Sequence, residues 1–267
     1  MSDGPNQGIL QEMTIDEVRA FDPEVVVFGI ASTEPHGPHL PYGTDTFQTD
    51  TICREAVLKA NENGASVLMY PTLPIGNNVN FKAFPFACRM GVRTLMNVVL
   101  DVIEAIEEEG VEKILLVNGH GGNTMTLDAT LREHTSRHEP GEGAFVCMTS
   151  NSGANSEEQA EIIEHESNHA GELETSRMMH IRPDLVREEH FDAFPIQEPK
   201  IEHLKHTMFV PRWDAHMPVS AGGETRESSQ AKGEAVIDIA ADWIAELLVE
   251  LDGASRDELF PYEPVDE

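Results

Sequence analysis

Apolar and polar positions follow two periods along this chain, and each change of period marks an element. "EVVVFGIA" (Glu24–Ala31) is a continuous β-branched and apolar run, as expected of a strand buried on both faces. "ASVLMYPTL" (Ala65–Leu73), "KILLVN" from Lys113 and "AFVCMTS" (Ala144–Ser150) predict three more strands. Between the strands the period is helical. "TIDE" (Thr14–Glu17) is a capping box that opens a short helix. A second helix is predicted from Thr46 to about Asn63, closed by Gly64. "TLMNVVLDVIEAIEEEG" predicts an amphipathic helix ended by Gly110. Asn123 or Thr124 can cap another helix, reaching about His138. Two more are predicted over His169–His180 and, longest of all, Ser228–Leu251. Val236, Ala240, Trp243, Leu247 and Leu251 form the expected apolar face of the last one. Phe191–Gly223 reads as proline-rich and irregular.

This alternation predicts one α/β domain with a mostly parallel sheet over residues 1–252, followed by an acidic tail over 253–267. Ligands of such sheets bind beyond the carboxyl ends of the strands. Two loops rich in possible ligands leave those ends: "STEPHGPHLPYGTDT" after the first strand and "NGHGGN" after the third.

Charge narrows the function classes. Asp and Glu number 48 against 18 Lys and Arg, a net charge of −30. No basic patch is present, so nucleic acid is excluded as a partner. Self-repulsion of this size calls for screening, which points to a salt-rich cytoplasm. No apolar run is long enough to cross a membrane, and the N-terminus carries no basic-then-apolar signal. Cys53, Cys88 and Cys147 are far apart and lack C-x-x-C spacing, as free thiols in a reducing compartment would be.

Glu34 and His36 are two residues apart, and Pro35 and Pro38 keep this stretch extended, so both side chains can point one way. Asp45 returns to the same neighbourhood, where it can serve as a ligand or as a helix N-cap. His39 carries less support and reads more readily as structural. His120 follows a buried strand at the same sheet end. On a helix from His169 to His180, His169 and Glu172 share a face while Glu174 points elsewhere. Glu172 alternatively reads as an acid favoured by a helix N-terminus. Mixed His and carboxylate donors without Cys suit zinc, manganese or iron(II), and two such ions can share one carboxylate.

Taken together, "STEPHGPHLPYGTDT", "VNGHGGN", "HAGELETS" and "SAGGETRESSQAKGE" resemble the creatininase family of metal-dependent amidohydrolases, over most of residues 14–250. The resemblance implies a three-layer α/β fold and a dinuclear site held by Glu34, His36, Asp45 and His120, with Asp45 bridging. It implies a metal-held hydroxide as nucleophile, His169 as acid/base beside the substrate, and homo-oligomers, often hexamers. Creatininase itself has a ligand glutamate where this chain has Gly122, and an apolar residue where it has Glu172. Glu172 is therefore the expected fifth ligand and, with His169, an expected catalytic-site residue. Neither Trp213 nor Trp243 lies in the segment where creatininase carries its tryptophans. The expected reaction is cleavage of a non-peptide C–N bond, a cyclic amide or formamide, in a small molecule other than creatinine. A family-type cleavage of a short peptide is the alternative. Two rivals remain: a zinc peptidase built on the literal H-E-x-x-H of "HESNH" (His165–His169) with Glu188 or Glu189, and a non-catalytic metal binder.

Overall fold

The computed structural model describes residues 8–139, 141–165, 169–257 and 260–262. Four parallel strands form the central sheet: β1 (Val25–Ile30), β2 (Val67–Leu73), β3 (Lys113–Asn118) and β4 (Phe145–Ser150), in the order β2-β1-β3-β4. Parallel neighbours need crossovers, and helices α2 (Thr44–Glu62), α3 (Val92–Glu108) and α4 (Thr124–Ser136) supply them. The short α1 (Ile15–Ala20) precedes β1, and the Thr14 N–H donates to Glu17 as the capping box requires. After β4 come α5 (Ser156–Ile162), α6 (Glu172–Ile181), α7 (Trp213–His216) and α8 (Gln230–Gly253). A two-residue antiparallel pair, β5 (Ala193–Phe194) and β6 (Gly223–Glu224), gives the irregular segment its one ladder among the described residues.

The strands read as continuous apolar runs because both faces are covered. Val25 and Val27 of β1, with Leu115 and Val117 of β3, pack on Ile52 and Ala56 of α2 and Ile237 and Ile244 of α8. Val26, Phe28 and Ile30, with Ile114 and Leu116, pack on Leu95, Val99 and Ile103 of α3 and Leu127 of α4. Three layers result, and each fully buried side chain of this size contributes about 1.5–3 kcal/mol. Gly64 and Gly110 stop α2 and α3 with φ of 96° and 86°, a conformation that costs other residues.

Two expectations change. The buried stripe of α8 runs through Val236, Ile237, Ala240, Ala241, Ile244 and Leu248, while Trp243 is 37% exposed at its rim. The stripe is turned because α8 packs on α6 and α2 as well as facing the sheet. Asn123 does not cap α4: its Nδ2 donates to the Ala31 carbonyl and its Oδ1 accepts from the Asn77 N–H, clipping the loops after β1 and β2 to the loop after β3. The segment after α8 is tied back over part of its length. Arg256 donates to the Gly143 and Gly141 carbonyls, and Phe260 packs edge-on against Phe145. Buried Lys113 caps α8 by donating to the carbonyls of Leu251, Asp252 and Ala254. Among the described residues no helix is long and apolar enough to cross a membrane.

Strand order reverses direction between β1 and β3, so the chain leaves these neighbours toward opposite faces. That opens a crevice beyond their carboxyl ends.

Candidate metal centre

Four predicted ligands converge in this crevice. Glu34 and His36 leave β1, His120 leaves β3, and Asp45 sits in the first turn of α2. All four are buried. His120 Nδ1 lies 3.1 Å from Glu34 Oε2 and 3.3 Å from Asp45 Oδ2. The other Asp45 oxygen, Oδ1, lies 3.0 Å from His36 Nε2. One carboxylate thus divides its oxygens between two histidines, and two donor sets share it: Glu34, Asp45 and His120 on one side, His36, Asp45 and Glu174 on the other.

The far nitrogen of each histidine is committed to backbone. His36 Nδ1 donates to the Glu34 carbonyl at 3.0 Å, leaving Nε2 for the site. His120 Nε2 donates to the Asn77 carbonyl at 3.1 Å, leaving Nδ1. Such outer hydrogen bonds fix the tautomer and the ring plane of a metal ligand. Among the described residues, buried Glu34 Oε2, His36 Nε2 and Asp45 Oδ2 make no well-aligned hydrogen bond. Buried polar atoms rarely stay so unless another group satisfies them, and this donor set fits divalent ions of the zinc or manganese type.

Electrostatics point the same way. Burial works against charge on His36, but Asp45, then Glu174 and Glu34, outweigh it and push the imidazole up to about 10. His120 is likewise raised well above its usual range: burial opposes its charge, and Glu34 and Asp45 overcome it. Burial alone would raise Asp45, yet His36 and His120 hold it well below the usual carboxylate range. A field that favours imidazolium here favours a divalent cation in its place.

Glu172 is not part of this centre. Ala170 has φ of 52° and Gly171 is extended, so the helix starts at Glu172 and not at His169. Counting the helical period from His169 therefore put the wrong carboxylate on the site face. Glu172 is wholly buried, and its carboxylate accepts from Lys232 Nζ at 2.6 Å and from the N–H groups of Glu164 and His165. Glu174, two residues on, puts Oε2 3.7 Å from His36 Nε2, and the Ala170 N–H holds that oxygen at 2.6 Å. The signal was present in "HAG": a glycine before "ELET" marks a helix start. Gly122 cannot host a glutamate in this backbone either, since a Cβ there would come within 2.3 Å of His120 Nε2 and 2.5 Å of the Asn77 carbonyl.

His169 stands beside Glu34 and His36. Its Nδ1 is 3.8 Å from Glu34 Oε1, its ring centroid 4.3 Å from that of His36, and its Nε2 donates to the Pro35 carbonyl at 2.9 Å. Burial, and then the charge on His36, lower its pKa, which favours the neutral imidazole. His39 lies apart, donating to or accepting from Thr175 Oγ1 at 3.0 Å and stacked on Phe194; burial holds its pKa down to about 4. For the H-E-x-x-H reading, α5 ends at Ile162, His165 is exposed outside any helix and His169 is bridged to Gly222, while Glu166 and residues 167–168 lie outside the described residues.

Sequence reasoning missed the roof. Trp213 of α7 packs on Phe81 with centroids 5.0 Å apart, and both rings lie within 5.5 Å of His169. They line a cavity of about 260 Å³ together with Glu34, Asp45, His120, His169, Glu174 and Asn80. Trp213 Nε1 is buried without a partner among the described residues.

A family model described as creatinine amidohydrolase matches residues 11–248. The chain is 26% identical over 194 residues to a mycofactocin precursor peptide peptidase of Mycobacterium tuberculosis (strain ATCC 25618 / H37Rv), covering 71% of this chain and 70% of that one. It is 24% identical over 244 residues to the creatinine amidohydrolase of Pseudomonas putida, covering 85% and 89%. Among solved structures, a Bacteroides fragilis NCTC 9343 protein provisionally assigned as a creatinine amidohydrolase superposes with a TM-score of 0.85 at 25% identity, covering 97% and 100%. A manganese form of creatininase superposes at 0.76 and 21% identity, covering 93% and 100%, which bears on the fold alone. With its three-layer fold, its crevice and a family match over nearly its whole length, the chain belongs to the creatininase family of hydrolases.

Proposed function

We propose that this hydrolase uses two divalent ions to cleave a non-peptide C–N bond, a cyclic amide or formamide, in a small molecule. One observation carries the reading: Asp45 turns Oδ1 to His36 and Oδ2 to His120. Glu34, Asp45 and His120 would hold one ion; His36, Asp45 and Glu174 would hold the other. Ions of the zinc, manganese or iron type supply Lewis acidity and lower the pKa of nearby water. The protein's own residues do the rest. His169 offers the free lone pair of Nδ1 to take a proton and later return it to the leaving nitrogen. Trp213 and Phe81 exclude water and hold a flat substrate. Glu172, bound to Lys232, has no catalytic part.

The size of the cavity favours a small amide over a peptide chain, whereas the peptidase relatives favour a short peptide. Screening the metal-loaded protein against cyclic amides, formamides and short peptides separates them. Turnover of cyclic amides or formamides, abolished by His169→Ala with metal retained, is expected; turnover of peptides alone would overturn the substrate class. The reading includes a cytoplasmic homo-oligomer, hexameric as the resemblance implies. Exposed Met208, Phe209 and Val210 on so acidic a molecule support association, and light scattering measures it.

A further inference from the structure

A second mixed cluster lies at the opposite end of the sheet. Glu107, in the last turn of α3, has Oε1 3.0 Å from His134 Nε2 and 3.9 Å from His138 Nε2. His134 lies in the last turn of α4 and His138 just beyond its end, with ring centroids 4.8 Å apart. One ligand atom from each of the three residues lies within 4.8 Å of the others. This is two imidazoles and one carboxylate, not an acidic patch.

The cluster is held from outside. The Ala144 N–H donates to Glu107 Oε1 at 2.6 Å, fixing the carboxylate from the start of β4. Gly143 backs the His138 ring so closely that a Cβ there would lie 2.7 Å from it. Arg137, the neighbouring cation, turns away to Glu104 and Glu133 and leaves Glu107 free of a guanidinium. His134 is buried, while the His138 side chain is 30% exposed, so one side opens to water.

We propose that Glu107, His134 and His138 form a third metal site, for zinc or another borderline divalent ion, with water as fourth ligand. Tetrahedral zinc with bonds of ~2.0–2.1 Å sets its donors roughly 3.3 Å apart. The observed 3.0 and 3.9 Å bracket that spacing, so small side-chain rotations bring the donors into place. His138 follows the end of α4, where the turn through Arg137 brings its ring back beside that of His134, as two ligands of one ion require. A simple His134–Glu107 hydrogen bond gives no reason for His138 to face the same oxygen. The ion would staple α3, α4 and the start of β4, remote from the hydrolytic crevice.

The test isolates this site from the catalytic centre. The full chain carrying His36→Ala and His120→Ala is loaded with zinc, dialysed and assayed by mass spectrometry. One zinc per chain is expected, with four-coordinate visible bands after cobalt exchange. Adding His138→Ala should weaken binding on the order of 100-fold, since even outer-contact losses reach that range. In the otherwise unaltered chain, His138→Ala should lower zinc content by one equivalent and leave turnover unchanged. This second arm decides the matter if the crevice variant fails to fold. No zinc retained by the folded crevice variant, or the same zinc content with and without His138→Ala in either background, overturns the proposal.

Discussion

Glu174 adds charge to one half of the candidate centre, because it faces His36 alongside the shared Asp45 and Glu34. Glu174→Gln replaces an anionic donor with a neutral amide of the same shape. The expected result is loss of one ion per chain on dialysis, with affinity down at least about 10- to 100-fold. The ion between Glu34 and His120 should be retained. Inductively coupled plasma analysis checks this, and two ions retained with unchanged affinity would remove Glu174 from the ligand set. Glu34, His36, Asp45 and His120 were legible in the sequence because short, stiff loops carry them straight off strand ends. Glu174 was missed because the helical period was counted from His169, whereas the glycine of "HAG" marks the start that Ala170 and Gly171 impose at Glu172.

At the scale of elements, the start of α6 does two jobs. Its first turn aims Glu174 into the crevice, and its first residue, Glu172, anchors α6 to α8 through Lys232. Glu172 is fully buried, so removing its partner leaves an uncompensated charge. Lys232→Met should therefore destabilise the fold by roughly 3 kcal/mol, with metal content unchanged. Adding Glu172→Leu should recover much of that loss, since both charges are then gone. Urea denaturation of the three proteins measures it; an unchanged midpoint in Lys232→Met would mean that the pair adds nothing. The strand runs and most helices could be read from pattern alone. The contact face of α8 could not, because burial there reflects α6 and α2 as well as the sheet, and a single-stripe reading assumes one neighbour.

For the whole molecule, the net charge of −30 sets carboxylate against carboxylate in the compact state. Exposed surface pairs such as Arg19–Asp16 contribute little. Repulsion among the excess carboxylates acts over about 10 Å at 0.1 M salt and about 3 Å at 1 M. The melting temperature should rise by several degrees between 0.1 and 2 M KCl, and equal melting in both would sink salt adaptation. The sequence by itself determined the α/β class, the parallel core strands and the two ligand-bearing loops, because apolar runs and chain stiffness are local properties. Only the tertiary structure decided which strands are neighbours, which acid completes the donor set and which aromatics roof the cavity. Those choices join residues far apart in the chain, such as Phe81 with Trp213 and Asp45 with Glu174, and their energy exists only once the layers are packed.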